Sequence, residues 1–209
     1  MNIICHRGCW TNENDKNTWN SLIKSLDLGY GIETDIRDHN GRLVISHDPV
    51  GTELPLELES LLIYYSFNKC TTCLALNIKS DGLHKMVAVL MREYDINNFF
   101  VFDMSIPDSL NYHKFKIPSA FRLSEYEVSN SLISNSKWIW LDAFKGDWYT
   151  TEMVKYWISE DKNVCVVSPE LHSRPYLDSW HKLASLKSEK KIYLCTDLFL
   201  EASDFFKNE

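Results

Sequence analysis

Apolar residues fall in short blocks along the chain, rich in β-branched and aromatic side chains, and most blocks give way to a polar turn and then a longer amphipathic stretch. The blocks predict strands over Asn2 to Cys5, Gly31 to Ile36, Cys73 to Ile78, Phe99 to Asp103, Ala120 to Leu123, Trp138 to Asp142, Val164 to Val167 and Ile192 to Cys195. The stretches between predict helices over Trp19 to Leu28, Leu56 to Tyr65, Leu83 to Tyr94, Pro107 to His113, Glu125 to Ser134, Thr151 to Glu160 and Tyr176 to Ser188, with a last one from Leu200 to Phe206. Leu43 to Ser46 reads as an extra extended segment, joined to the second strand by the turn His39-Asn40-Gly41. Eight βα units in succession predict an α/β fold, a single (β/α)₈ barrel, over an open doubly wound sheet, which usually carries a Gly-rich phosphate loop. No such loop is present in the sequence.

With 209 residues, 44% of them hydrophobic, one substantial core and one domain spanning 1–209 are expected. The formal net charge of -7 argues against nucleic acid as a partner, so an anionic substrate must be held by a local cluster of cations. No run of apolar residues is long enough for a transmembrane helix, and the chain opens on a strand-like run; no stable membrane insertion and a cytoplasmic location are expected. Cys5, Cys165 and Cys195 lie in apolar runs and read as buried thiols. The Cys70-x-x-Cys73 pair leads into a strand, without the further ligands of a zinc site or the helix of a redox motif.

In a (β/α)₈ barrel the working residues sit at the C-terminal ends of the strands. Here the first strand ends in His6-Arg7-Gly8, the second carries Glu33-x-Asp35, the extra segment ends in His47-Asp48, and the third strand ends in Asn77-x-Lys79. Glu33 and Asp35, two apart on a strand, share one face. Two carboxylates forced together repel and lose hydration, which a divalent cation relieves, and oxygen ligands favour Mg²⁺, Ca²⁺ or Mn²⁺. The competing reading is a structural ion network of Glu33 and Asp35 with Arg7 and Lys79. His6 and His47 are the candidate acid and base because each closes a segment beside the carboxylates; His39, His84, His113, His172 and His181 read as structural. Arg7 offers a bidentate guanidinium to a phosphoryl group and Lys79 a point charge. Arg122, Glu125, Asp142, Glu170 and His172 fall where barrel position makes them substrate contacts, with Arg122 a further phosphate ligand. The tryptophans at the mouth loops make a sugar phosphodiester tenable.

The runs His6-Arg7-Gly8, Asn17-Thr18, Gly31-Ile32-Glu33-Thr34-Asp35-Ile36 and Gly41-Arg42-Leu43-Val44-Ile45-Ser46-His47-Asp48 resemble the glycerophosphodiester phosphodiesterase family in order and spacing. Leu76-Asn77-Ile78-Lys79 and Cys195-Thr196-Asp197 look like its third-strand and final-strand motifs. The resemblance implies a barrel related to phosphatidylinositol-specific phospholipase C, with one divalent metal and a small phosphodiester substrate. It implies His6 and His47 as the acid/base pair, Glu33 and Asp35 as metal ligands, and Arg7 and Lys79 as phosphate contacts. In many members a neighbouring substrate hydroxyl attacks phosphorus to give a cyclic phosphate.

The sequence departs from the family at three places. Asn77 stands where a glutamate metal ligand is usual, so metal is held by Asn77 with Glu33 and Asp35, or helped by Asp103 or Glu170. Lys16 replaces a glutamate before Asn-Thr, and the insertion that helps select glycerol is absent between Pro49 and Leu56. Two alternatives accompany the hydrolase: a phosphate-ester-binding barrel without efficient catalysis, and a lyase that stops at a cyclic phosphate.

Overall fold

The computed structural model of the chain describes residues 1–52, 54–129 and 131–208. They fall into two compact units, His6–Ser119, and Met1–Cys5 with Ala120–Glu209. Elements are numbered along the chain, with β1 at Asn2–His6.

Within His6–Ser119, α1 (Trp19–Asp27) precedes β2 (Gly31–His39), β3 (Arg42–Ile45), the two-residue β4 (Leu56–Glu57), α2 (Leu58–Phe67), β5 (Leu74–Ile78), α3 (His84–Glu93), β6 (Phe99–Phe102) and α4 (Ile106–Lys114). The strand order is β4-β3-β2-β5-β6, parallel for β2-β5-β6 and antiparallel for β2-β3-β4. Strand alternation divides the parallel strands into two faces. Ile32, Ile36, Leu74, Leu76, Ile78, Phe99 and Val101 pack with Leu22, Leu26, Leu58, Leu61, Leu62, Val87, Met91 and Tyr112 from the helices. That apolar layer is what removes the most hydrophobic surface from water in this unit. The other face carries the register rows Glu33↔Ala75↔Phe100 and Asp35↔Asn77↔Phe102. Both rows are buried.

The extra segment pairs as expected, but Leu56 and Glu57 are a strand where a helix was predicted to begin. Leu56 pairs with Ile45 and Glu57 with Val44, and this tertiary ladder overrides the helical pattern that runs on from Leu58.

The unit Met1–Cys5 with Ala120–Glu209 orders its strands β7-β8-β9-β10-β1, all parallel, with β7 at Ala120–Leu123, β8 at Trp138–Leu141, β9 at Asn163–Val167 and β10 at Ile192–Thr196. Its helices are α5 (Thr151–Ser159), α6 (Leu177–Ala184) and α7 (Phe199–Asn208). The helix predicted from Glu125 to Ser134 is not formed; a 3₁₀ turn covers Ser131–Asn135, and Asn130 lies outside the described residues. Ser124 caps a turn instead, its Oγ accepting from Tyr126 N at 3.2 Å, and the Glu125 carboxylate accepts N–H bonds from Phe144, Lys145 and Gly146. The Ser- and Asn-rich run from 129 to 136 offers the backbone further non-helical partners.

All six cysteines are free thiols. Burial pushes the thiols of both Cys70 and Cys73 up, the opposite of an activated redox pair.

Candidate active site

The predicted site residues His6, Arg7, Glu33, Asp35, His47, Asn77 and Lys79 all belong to the unit His6–Ser119. Their placement starts with the turn after β1. Arg7 and Gly8 take φ of 56° and 90°, so the chain reverses within two residues. A left-handed arginine is costly and persists only where its surroundings hold it. Here Arg7 N donates to Glu33 O at 2.9 Å, and Arg7 O accepts from Asn17 N at 2.9 Å. At Gly8 a Cβ would stand 2.7 Å from the Ser21 carbonyl carbon, so only glycine lets the turn lie against α1. Cys9 N completes the clasp, donating to Ser21 O at 2.9 Å and Ser25 Oγ at 2.8 Å.

Asp35, fully buried, lies at the centre. Arg7 Nε is 3.0 Å from its Oδ2 and Lys79 Nζ 3.2 Å from its Oδ1, ion-pair distances without hydrogen-bond alignment. Asn17 Nδ2 donates to Oδ2 at 2.9 Å, while Asn17 Oδ1 accepts from Thr34 Oγ1 at 2.7 Å. Asn17, left-handed at φ 59°, is thus a site residue to which sequence reasoning assigned no role. The available signal was its place before Thr18, whose Oγ1 caps α1 by accepting from Ser21 N.

Glu33 is 2% exposed, with Oε2 3.9 Å from His6 Nε2 and accepting from Arg7 N at 3.3 Å. Burial pushes its pKa up to about 7; His6 pulls it down, Asp35 pushes it up, and Arg7 and Lys79 pull it down. A raised carboxyl pKa holds its proton longer in the folded than in the unfolded chain. Its contribution therefore destabilises progressively as pH rises from about 4.5 through 7 and levels off above. In metal-free protein Glu33→Gln is expected to gain stability over wild type across that window, by on the order of 3 kcal/mol at pH 8. Urea unfolding at pH 5 and pH 8 reads this directly, and a difference that does not change with pH would contradict it.

Asn77 is in register with Asp35 on the neighbouring strand, and its Oδ1 and Asp35 Oδ1 are buried without a hydrogen-bond partner. Asn77 Oδ1 without a partner, in register with an Asp35 Oδ1 that has Lys79 Nζ at 3.2 Å but no aligned hydrogen bond, gives oxygens of the kind a hard cation takes. Among the described residues no three His, Cys, Asp or Glu side chains converge at metal-binding distance, so the set would be two carboxylates and one amide. Two further carboxylates stand as candidate helpers. Glu170, in the other unit, accepts from Ser168 Oγ, Thr196 Oγ1 and Asp197 N, and Asp103 takes a left-handed φ of 68° just after β6.

His47 follows β3, its ring 45% exposed and Nδ1 2.9 Å from Asp48 Oδ1. Lys16 pairs with Glu13 at 2.6 Å and lies over the Trp10 ring, while Trp10 Nε1 donates to His6 O at 3.0 Å. Of the histidines read as structural, His113 is 2.9 Å from Ser119 Oγ and His84 3.7 Å from Asp108.

In the other unit Arg122 Nε lies 3.6 Å from Glu127, and its guanidinium sits over Phe144. Buried Asp142 binds His172 Nε2 at 2.6 Å, and the His172 ring packs on Phe144. Burial tends to raise the Glu125 pKa, but its bonds from Lys145, Phe144 and Gly146 N–H outweigh this and bring it down to about 2.

No protein-family model matches the sequence, and no curated protein is similar to it. Solved structures are similar across the full chain. A protein of Galdieria sulphuraria, provisionally assigned as a glycerophosphodiester phosphodiesterase, matches with a TM-score of 0.79 and 16% identity over 99% of this chain and 98% of that one. An Oleispira antarctica phosphodiesterase in complex with the product sn-glycerol-3-phosphate matches with a TM-score of 0.66 and 14% identity over 99% and 97%. A Ca²⁺-dependent phosphatidylinositol-specific phospholipase C from Streptomyces antibioticus matches with a TM-score of 0.59 and 10% identity over 98% and 95%.

Proposed function

We propose that this chain, which has the (β/α)₈-barrel fold of the glycerophosphodiester phosphodiesterases, is a single-domain, metal-dependent phosphodiesterase acting on a glycerophosphodiester-like or sugar phosphodiester. The observation that carries the proposal is the buried Glu33–Asp35 pair, with a histidine beside one carboxylate and two cations on the other. A purely structural network accounts for the pairing of Asp35 with Arg7 and Lys79. It leaves Glu33, 2% exposed, with His6 Nε2 3.9 Å from its Oε2 and one long bond of 3.3 Å from Arg7 N.

In this reading Glu33, Asp35 and the amide oxygen of Asn77 hold one divalent cation, Mg²⁺, Ca²⁺ or Mn²⁺, which supplies Lewis acidity to the phosphoryl oxygens. Arg7 and Lys79 neutralise charge that builds on the phosphoryl group. One of His6 and His47 takes the proton of the attacking hydroxyl, from water or from the substrate, as the new P–O bond forms. The other returns a proton to the leaving alcohol as the old P–O bond breaks. Among the described residues no helix is long and apolar enough to cross a membrane.

The test is turnover of bis(p-nitrophenyl) phosphate and a panel of glycerophosphodiesters with each metal and with EDTA, following products by phosphorus NMR. Metal-dependent hydrolysis abolished by EDTA is expected. A cyclic phosphate as the final product would convert the reading to a lyase, and metal and phosphate-ester binding without turnover would leave a binding barrel.

A further inference from the structure

Arg37 is the next residue on the face of β2 that carries Glu33 and Asp35, one position beyond the last pair of β2 with β5, Ile36↔Ile78. Its guanidinium reaches both neighbouring chain segments at once. Nε and Nη2 donate to His47 O at 3.1 and 3.0 Å, and Nη1 donates to Lys79 O at 3.2 Å. Asp38, the next residue and on the opposite face, adds a tie to the segment after Lys79, its Oδ1 accepting from Ser80 Oγ at 2.8 Å.

These two carbonyls belong to the two outlying members of the proposed site. Lys79 is anchored further by its N–H to Ile36 O at 2.9 Å, and Ser46 N donates to Asp35 O at 3.0 Å. Beyond Ser46 the strand pairing has ended, and among the described residues the polar partner of the His47 ring is the exposed carboxylate of Asp48. The His47 backbone is held at its carbonyl by Arg37, with Ser46 Oγ donating to Asp48 O at 2.7 Å across the same turn. A displacement of about 1 Å in a catalytic group costs on the order of 10²-fold in rate.

We propose that Arg37 is a positioning residue, which locks the backbone of His47 and Lys79 into one rigid frame on β2; this rests on the phosphodiesterase reading for its catalytic consequence. The planar fork of three aligned N–H groups suits this task, and a lysine ammonium, a point charge on a flexible stem, cannot hold both carbonyls in the same way.

Arg37→Gln and Arg37→Lys are compared with wild type for kcat and KM, alone and on a His47→Ala background, together with amide hydrogen exchange of segments 46–49 and 79–81. Arg37→Gln is expected to lower kcat on the order of 100-fold while KM moves by less than about threefold, with Arg37→Lys intermediate. On the His47→Ala background the further loss shrinks well below about 100-fold, to the part that acts through Lys79, because one of the two groups being positioned is gone. Exchange rises in the two segments and nowhere else. An equal loss with and without His47, or exchange raised throughout the molecule, would overturn the proposal in favour of general stabilisation. If wild type shows no turnover with any metal, the phosphodiesterase reading falls by itself. Exchange then decides the frame: a rise confined to the two segments sustains it, and no change removes it.

Discussion

Alanine at His6 or at His47 is expected to lower kcat for phosphodiester hydrolysis by about 10²–10⁴, the span that a positioned proton donor or acceptor contributes. The two positions differ in a way that separates their roles. His6 is 20% exposed and lies beside buried Glu33, whereas His47 is 45% exposed and paired with exposed Asp48. A leaving group that needs no proton distinguishes acid from base. The variant lacking the acid keeps most of its activity on bis(p-nitrophenyl) phosphate and loses it on an alkyl ester, while the variant lacking the base loses both. Activity on the alkyl ester within about threefold of wild type in either variant would remove that histidine from the mechanism.

Removing the Asp35 carboxylate is expected to be the most destabilising single change at the site, by about 3–5 kcal/mol for Asp35→Ala, since it strands cations that a buried charge had balanced. Asp35 is fully buried, while Arg7 and Lys79 keep about a fifth of their side-chain surface exposed, so part of the loss is recovered by hydration. Asp35→Asn should cost less, because an amide oxygen can still accept from Asn17 Nδ2. Urea unfolding of the metal-free proteins gives the comparison, and a cost below about 1 kcal/mol for the alanine variant would show that the ion cluster is not holding β2 to its neighbours.

The parallel strands and the clustering of the site were legible because both rest on local periodicity. Glu33 and Asp35 must share a face whatever surrounds them, and the flanking Ile32 and Ile36 turn to the helices. Illegible features depended on partners far along the chain. Leu56 and Glu57 continue a helical pattern, and only the ladder to Val44 and Ile45 makes them a strand. Glu125 opens what reads as a helix, but its carboxylate is taken by the loop at 144–146. Arg37 shows the same limit at the site itself. A charged residue at a strand end reads as solvated, and hydrogen bonds from a side chain to distant carbonyls leave no trace in composition or spacing.

The contacts that frame the site all join residues close in sequence: Arg37 to His47 spans 10 positions, Asn17 to Asp35 18, Arg7 to Glu33 26 and Arg37 to Lys79 42. Loop-closure entropy grows only logarithmically with such spans, so the longest of these costs about 1 kcal/mol more to close than the shortest. The ordering penalty of the catalytic frame is thus spread over several overlapping closures. Each closure already made shortens the effective loop that the next must close, so the later ties cost less to order than they would alone.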